Sequence, residues 1–319
     1  MKQIYTYGNY LKDKFGCKVY KVGINISGFT CPNIDGTVAK GGCTFCENDS
    51  FSASTDEVQE LKGFHLNLES KNNPFLEKQL LQLEQQFNSI SSRQVKEYGA
   101  EKFLVYFQSF TNTYAPFETL KALYDKALSL PNVIGLSIGT RSDSITDETL
   151  QYLSKLNKTK EIWIEFGIQS VYDETLKKIN RGHTSENVKN WIIKSKQAGL
   201  HVCGHLIFGL PDETQDMMLK TSREAYSWEI DSVKYHPLYV VKKTALGNEF
   251  IRGKFTPISE ELYLDTLVKS IQMKPEHISV QRVTAGINDS SLLAPQWCRD
   301  KNTQIKNINQ ELKKIGLKY

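Results

Sequence analysis

The sequence predicts an α/β fold in which six strands, separated by helices, form a parallel sheet curved into an open or partial barrel. Three observations carry this expectation. Six runs rich in β-branched and aromatic residues recur along the chain, each short enough for a buried parallel strand. Stretches with helical spacing of apolar residues lie between them. Polar or glycine-rich residues follow one strand after another, as a shared site at the carboxyl ends of parallel strands requires.

The first strand is VYKVGINI (19–26), followed by a long glycine-rich loop. Leu76, Leu80, Leu83, Phe87 and Ile90 then repeat at four-three-four-three spacing, which places them on one helix face. The remaining strands are KFLVYFQ (102–108), VIGLSIG (133–139), EIWIEFG (161–167), HVCGHLIF (201–208) and SVKYHPLY (232–239). Helices are expected over 117–129, 146–156, 184–198 and 213–228. Thr146 and Thr184 stand at two helix starts, where a hydroxyl can accept one of the free backbone N–H groups. HISVQRVT (277–284) suits a further edge strand, and Ile305, Ile308, Leu312 and Ile315 a closing amphipathic helix. On this reading residues 1–285 form the barrel with its N-terminal segment. Residues 286–319 form a C-terminal helical extension packed on it.

Composition excludes several classes. Over 319 residues, a hydrophobic share of 39% with 24% charged is that of an ordinary globular enzyme, not of a disordered chain. No run approaches the ~20 apolar residues that span a bilayer, and the start, MKQIYTYGNYLKDKFG, lacks the apolar stretch of a signal peptide. No membrane partner is therefore expected, and a cytoplasmic location is. In that reducing compartment clustered cysteines point to metal binding rather than to disulfides. The net charge of +4 is uneven: Arg299 to Lys318 carries six basic residues against Asp300 and Glu311. A second basic stretch, Lys234 to Lys254, holds Lys242, Lys243, Arg252 and Lys254. Both stretches suit either solvated faces or phosphate-backbone contact.

Cys31, Cys43 and Cys46 fall in CPNIDGTVAKGGCTFC, directly after the first strand. A long loop thus closes on a tight CxxC turn. Three thiolates can hold a soft metal centre but cannot complete a four-ligand cage, which suits an iron–sulfur cluster with one iron open to a small molecule. The alternative from another class is a zinc-binding, nucleic-acid-binding module, its Cys₃His site completed by a histidine such as His65. That alternative leaves the strand-end motifs unexplained. Cys17, Cys203 and Cys298 have no CxxC spacing, and Cys203 suits a small buried hydrophobe.

Together with YFQSFTNTYAP, IGTRSD, EFGIQSVYDETLKKINRGHT, HLIFGLPDET and KYHPLYVVKKTAL, this loop resembles the radical S-adenosylmethionine (SAM) enzymes of the YhcC/YtqA group. The core of that group is similar to that of the tRNA-modifying Elp3 proteins. The resemblance runs from roughly residue 17 to 300. It implies a partial (β/α)₆ barrel of the TIM type and a [4Fe–4S] cluster held by Cys31, Cys43 and Cys46. SAM is then expected on the open iron, with an electron donor of flavodoxin or ferredoxin type. Reductive cleavage of SAM would yield a 5′-deoxyadenosyl radical that takes a substrate hydrogen.

The same resemblance places Phe45 beside the cluster and matches Gln169 and Arg181 to residues that relatives hold near the SAM carboxylate and ribose. Gln108, Thr111, Arg141, Glu165, His205 and Gly209 are the other expected cofactor contacts, Gly209 through a Gly-Leu-Pro turn at the adenine. Two departures stand out. Gln108-Ser109-Phe110-Thr111 replaces a glycine-rich turn, and Gly139 stands where an acidic residue is common. Glu165 is expected to face the barrel interior with Arg141 as its partner, and His205 suits a hydrogen-bonded core histidine. Cys298 is the candidate hydrogen-atom donor at the active-site mouth. For substrate, the resemblance implies tRNA and a wobble-uridine side chain, converted from carboxymethylaminomethyl toward aminomethyl. Lys242 and Lys243 are the expected nucleic-acid contacts. A small metabolite such as a porphyrinogen is the other substrate reading.

Overall fold

Alternation along the strands decides how this chain closes on itself, because successive side chains of a strand point to opposite faces. A computed structural model describes residues 1–47, 61 and 63–319. In chain order it contains β1 (Lys2–Gln3), α1 (Tyr7–Phe15), β2 (Val19–Ile24), α2 (Leu76–Tyr98), β3 (Lys102–Phe107), α3 (Phe117–Ser129) and β4 (Val133–Thr140). There follow α4 (Asp147–Leu156), β5 (Glu161–Gln169), α5 (Asp173–Lys178), α6 (Ser185–Gln197), β6 (His201–Phe208), α7 (Gln215–Ser227), β7 (Ser232–Pro237) and β8 (Val240–Val241). The chain continues with α8 (Ala245–Ile251), α9 (Glu260–Met273), β9 (Ser279–Arg282), β10 (Leu292–Ala294), α10 (Lys301–Lys314) and β11 (Leu317–Lys318).

Seven strands form one sheet in the order β2-β3-β4-β5-β6-β7-β9, and every neighbouring pair is parallel. The six expected strands are all present, and the segment 277–284 supplies the seventh at the edge. Two small pairs lie outside it: β1 runs parallel to β11, and β8 antiparallel to β10. The expected helices form as α2, α3, α4, α6, α7 and α10. Thr146 and Thr184 cap α4 and α6, accepting from the N–H of Thr149 and Asn187. Helices α1, α5, α8 and α9 add to the expected set.

The inner face of the sheet is layered. At the base, Leu104, Trp163 and Cys203 pack with Tyr7 and Leu11 of α1, so that this helix closes the barrel bottom. Tyr7 meets Trp163 edge to face at 4.9 Å between ring centroids. Above lies a charged layer of Lys21, Glu165 and Lys234 with His205 and Tyr106. At the top come Gly139 and Gly167, whose missing side chains leave the barrel open. On the outer face Ile162, Ile164, Phe166 and Ile168 of β5 join one large apolar core beneath the helices.

Gly135 shows how tightly β4 and β5 approach. A Cβ at that position would stand 1.8 Å from the carbonyl oxygen of Glu161, its register partner. The free side of edge strand β2 is covered by α2, and glutamines meet its backbone. Gln94 donates to the Lys21 carbonyl at 2.9 Å, and Gln86 both accepts from the Asn25 N–H and donates to the Asn25 carbonyl. Gln79 and Gln82 serve Ser27 in the same way. Satisfying an edge strand with side-chain amides removes its capacity to recruit another strand.

Candidate active site

A cavity of about 430 Å³ opens at the carboxyl ends of the strands. Cys31, Cys43, Cys46 and Phe45 line one side of it. The loop that carries them is held by reciprocal amide bonds to the turn after α5. Asn33 Nδ2 donates to the Asn180 carbonyl and, at 3.1 Å, to the Arg181 carbonyl. Asn180 Nδ2 donates in return to the carbonyls of Gly42 (2.7 Å) and Lys40 (3.1 Å). Gly182 lies at this contact with φ +81°, and a side chain there would meet Asn33 and Val38. Only glycine adopts that backbone at so close an approach. Within the loop the Cys46 N–H donates to the Cys43 carbonyl at 2.9 Å, closing the CxxC turn.

The thiol environment is polar and cationic. Asn33 Nδ2 and Arg181 Nη1 approach Cys43 Sγ at 3.6 and 3.7 Å. Burial, followed by the neighbouring Cys43 and Cys31, pushes the Cys46 thiol up to about 12. The three sulfurs nonetheless do not lie within 4.8 Å of one another; among the described residues only Glu165, Cys203 and His205 offer such a trio. A single zinc ion holding three thiolates at ~2.3 Å would bring their sulfurs within about 4 Å. His65 sits exposed ahead of α2, outside the cavity lining, so the expected fourth zinc ligand is not delivered.

Gln108, Thr111, Arg141, Glu165, Gln169, Arg181 and His205 all line the cavity, as the sequence led one to expect. Several present buried polar atoms with no protein partner: Arg141 Nη1, Arg181 Nε and Gln169 Oε1. These three residues line one cavity, and their unmet donors and acceptor suit a ligand with carboxylate and hydroxyl or amino groups. Gly167 makes room for them, since a Cβ there would collide with Arg181 Nη2 and Gln169 Nε2, each at 2.5 Å. Gln169 at φ 64° and Phe110 at φ 63° both adopt the left-handed backbone on the cavity wall. Such strain costs on the order of 1–2 kcal/mol and tends to mark functional walls.

One expected pairing is corrected. Glu165 does not meet Arg141; it pairs with Lys21 and Lys234, accepts from Ser137 Oγ at 2.6 Å and meets His205 Nε2 at 2.8 Å. Arg141 instead forks onto Asp143 and donates to the Arg181 carbonyl at 2.7 Å. The physical reason is layering: Glu165 lies one alternation below the top, where Lys21 and Lys234 reach from β2 and β7. Burial opposes ionisation of Glu165, but the two ammonium groups and His205 hold its carboxyl well below the usual range. Burial, then Lys234, pulls His205 down to about 4, so the ring is neutral and its Nε2–H donates to Glu165.

Two expected residues fall outside the cavity lining. Gly209 packs against Ile258, where a Cβ would meet that side chain at 2.7 Å, and its N–H points at Met218 Sδ. The structure thus gives this glycine a close packing role against Ile258 and Met218. Cys298 is fully buried among Tyr239, Val241, Ala285 and Leu292, behind the wall formed by Ala285 and Gly286. Lys242 and Lys243 are exposed just beyond β8, outside the cavity but next to its lining residues Leu238 and Tyr239. Lys234, which opens the second basic stretch, is buried in the charged layer instead of facing solvent. Tyr106, His236, Arg282 and Lys301 also line the cavity, although none of them stood among the expected site residues. Strand alternation marks the first two; nothing local marks the last two.

Comparison with known proteins supports this geometry. The radical SAM superfamily model matches residues 36–225, and the radical SAM C-terminal domain model matches residues 230–314. YtqA of Bacillus subtilis (strain 168) is 33% identical over 315 residues, covering 99% of this chain and 91% of that protein. YhcC of Escherichia coli (strain K12) is 33% identical over 317 residues, 99% of this chain and 94% of its own length. A tRNA uridine(34) acetyltransferase of Methanocaldococcus infernus is 30% identical over 157 residues, 48% of this chain but 29% of that protein. Among solved structures, the fold is similar to that of archaeal Methanocaldococcus infernus Elp3 lacking residues 1–46. The TM-score is 0.64 at 18% identity, covering 95% of this chain and 64% of that one. Three spaced thiols, a cationic surround and orphaned polar atoms fit the cofactors this family uses. The chain belongs to the radical SAM superfamily, as an enzyme of the YtqA and YhcC group whose cofactors are a [4Fe–4S] cluster and SAM.

Proposed function

We propose that this enzyme modifies the side chain of a uridine in tRNA, with the wobble position as its target. One observation carries the reading: a single cavity is lined both by the three cysteines and by the cationic residues Arg282 and Lys301. Exposed Lys242 and Lys243 follow closely on Leu238 and Tyr239, which line that cavity. An anticodon stem seated on them would direct an unstacked base inward, as enzymes acting on nucleobases require. The likeness to the uridine(34) acetyltransferase supports the same substrate class, although its alignment spans only part of both proteins.

Cys31, Cys43 and Cys46 would hold the cluster, and Arg181, Arg141 and Gln169 offer the polar atoms that SAM needs. Bound together, the cofactors supply hydrogen-atom abstraction by a 5′-deoxyadenosyl radical. The protein's own part is to hold the pair, to orient the base and to exclude water from the barrel top. Apolar packing of Phe45 with Leu176, Ile179, Ile207 and Leu210 seals the cysteine side. A one-electron reductant is required, as throughout the family.

The reconstituted enzyme with SAM and reductant should form 5′-deoxyadenosine faster when given total tRNA from a strain lacking the gene. Lys242→Gln/Lys243→Gln should weaken tRNA binding across sequences and reduce the slope of its salt dependence by about 1 to 2. A rate indifferent to tRNA, with binding and slope unchanged in the variant, contradicts the proposal.

A further inference from the structure

We propose that the cavity contains an anion-binding lobe, in which Arg282 and Lys301 take one phosphate group of the substrate. This rests on the tRNA reading and deepens it: the phosphate would be one that flanks the base entering the cavity. Arg282 ends β9 and Lys301 begins α10, two elements far apart in sequence that the fold brings to one cavity wall. Among the described residues neither has an acidic partner. They repel one another, since burial and then Arg282 pull the Lys301 ammonium below its ordinary value.

The surrounding charges do not neutralise them. Beneath the lobe, Lys21 and Lys234 share the single carboxylate of Glu165, so the floor already carries more positive than negative charge. His205 and His236 line the same cavity, and burial holds both well toward their neutral forms. Asp300, next to Lys301, is occupied as the cap of α10. Its carboxylate accepts from the Asn302 N–H at 2.8 Å and from Thr303 Oγ1 at 2.7 Å. Lys21 and Lys234 thus share one carboxylate, while Arg282 and Lys301 line the same cavity without an ion pair of their own. Like charges held together cost free energy that an entering anion relieves. A guanidinium fork beside a compact ammonium matches the several oxygens of a phosphate.

The test is calorimetric titration of the reconstituted enzyme, with SAM bound, by uridine 5′-monophosphate and by uridine. The phosphate-bearing nucleotide should bind at least about tenfold more tightly. Arg282→Gln/Lys301→Gln should abolish that preference while SAM affinity stays unchanged, and Lys242→Gln/Lys243→Gln should leave it intact. If the double variant also loses SAM, the two single variants decide, each being expected to lose part of the preference. Equal affinity for the two probes, no measurable binding of either, or a preference that survives both substitutions overturns the lobe. The two proposals fail separately. A phosphate preference without tRNA binding removes the tRNA reading alone, and tRNA binding without a phosphate preference removes the lobe alone.

Discussion

A carboxylate shut away from water, as Glu165 is, stays ionised only where cations and hydrogen bonds replace its lost hydration. Lys21, Lys234, Ser137 and His205 do so together. Glu165→Gln strands two buried ammonium groups and should lower unfolding free energy by about 3–5 kcal/mol in urea denaturation. A loss below about 1 kcal/mol would show that water reaches this layer. Glu213 is the opposite case. Burial, partly opposed by hydrogen bonds from Ser170 and Thr175, raises its carboxyl from 4.5 to about 7. The folded state therefore keeps a proton that the unfolded chain gives up. The resulting stabilisation is complete below pH 4.5 and is lost as pH rises through about 7. Relative to Glu213→Gln, the wild type should lose stability across that window; a constant difference refutes the assignment. The sequence placed Glu165 inside but hid its partners, because lysine reads as a surface letter and only the alternation of β2 and β7 turns Lys21 and Lys234 inward.

At the scale of elements, periodicity spoke clearly wherever one face is apolar. Strands β2 to β7 and helices α2, α3, α4, α6 and α7 were legible for that reason. The apolar stripe of α2 was legible too, but not the glutamines beside it, which act on the backbone of β2 rather than in a core. Helix α1 escaped because its buried side chains are one tyrosine and one leucine, too few to set a period. Close strand approach is equally silent in the sequence. Gly135→Ala would force a methyl group against the Glu161 carbonyl, so β4 and β5 must part. The expected cost is about 3 kcal/mol, read as a shifted denaturation midpoint, at the upper end for overpacking. A midpoint within experimental error of wild type would show that the pair can separate freely.

Over the whole molecule, convergence was the readable quantity. Seven of the polar site residues named from the sequence meet in one cavity with the three cysteines. Gly209 and Cys298 fall outside its lining, because a turn and a thiol can serve packing as well as chemistry. Lys301 stood in a basic stretch legible in the sequence, but its place beside Arg282 in the cavity was not, since that depends on how the last strand and helix fold back. The account as a whole stands on tRNA being the substrate. Its most direct test compares modified nucleosides in tRNA by mass spectrometry between wild-type cells, cells lacking the gene, and deletion cells carrying either the intact gene or Cys43→Ala. One modified uridine should change in the deletion, return with the intact gene and fail to return with Cys43→Ala. Identical uridine profiles in all four strains would contradict it.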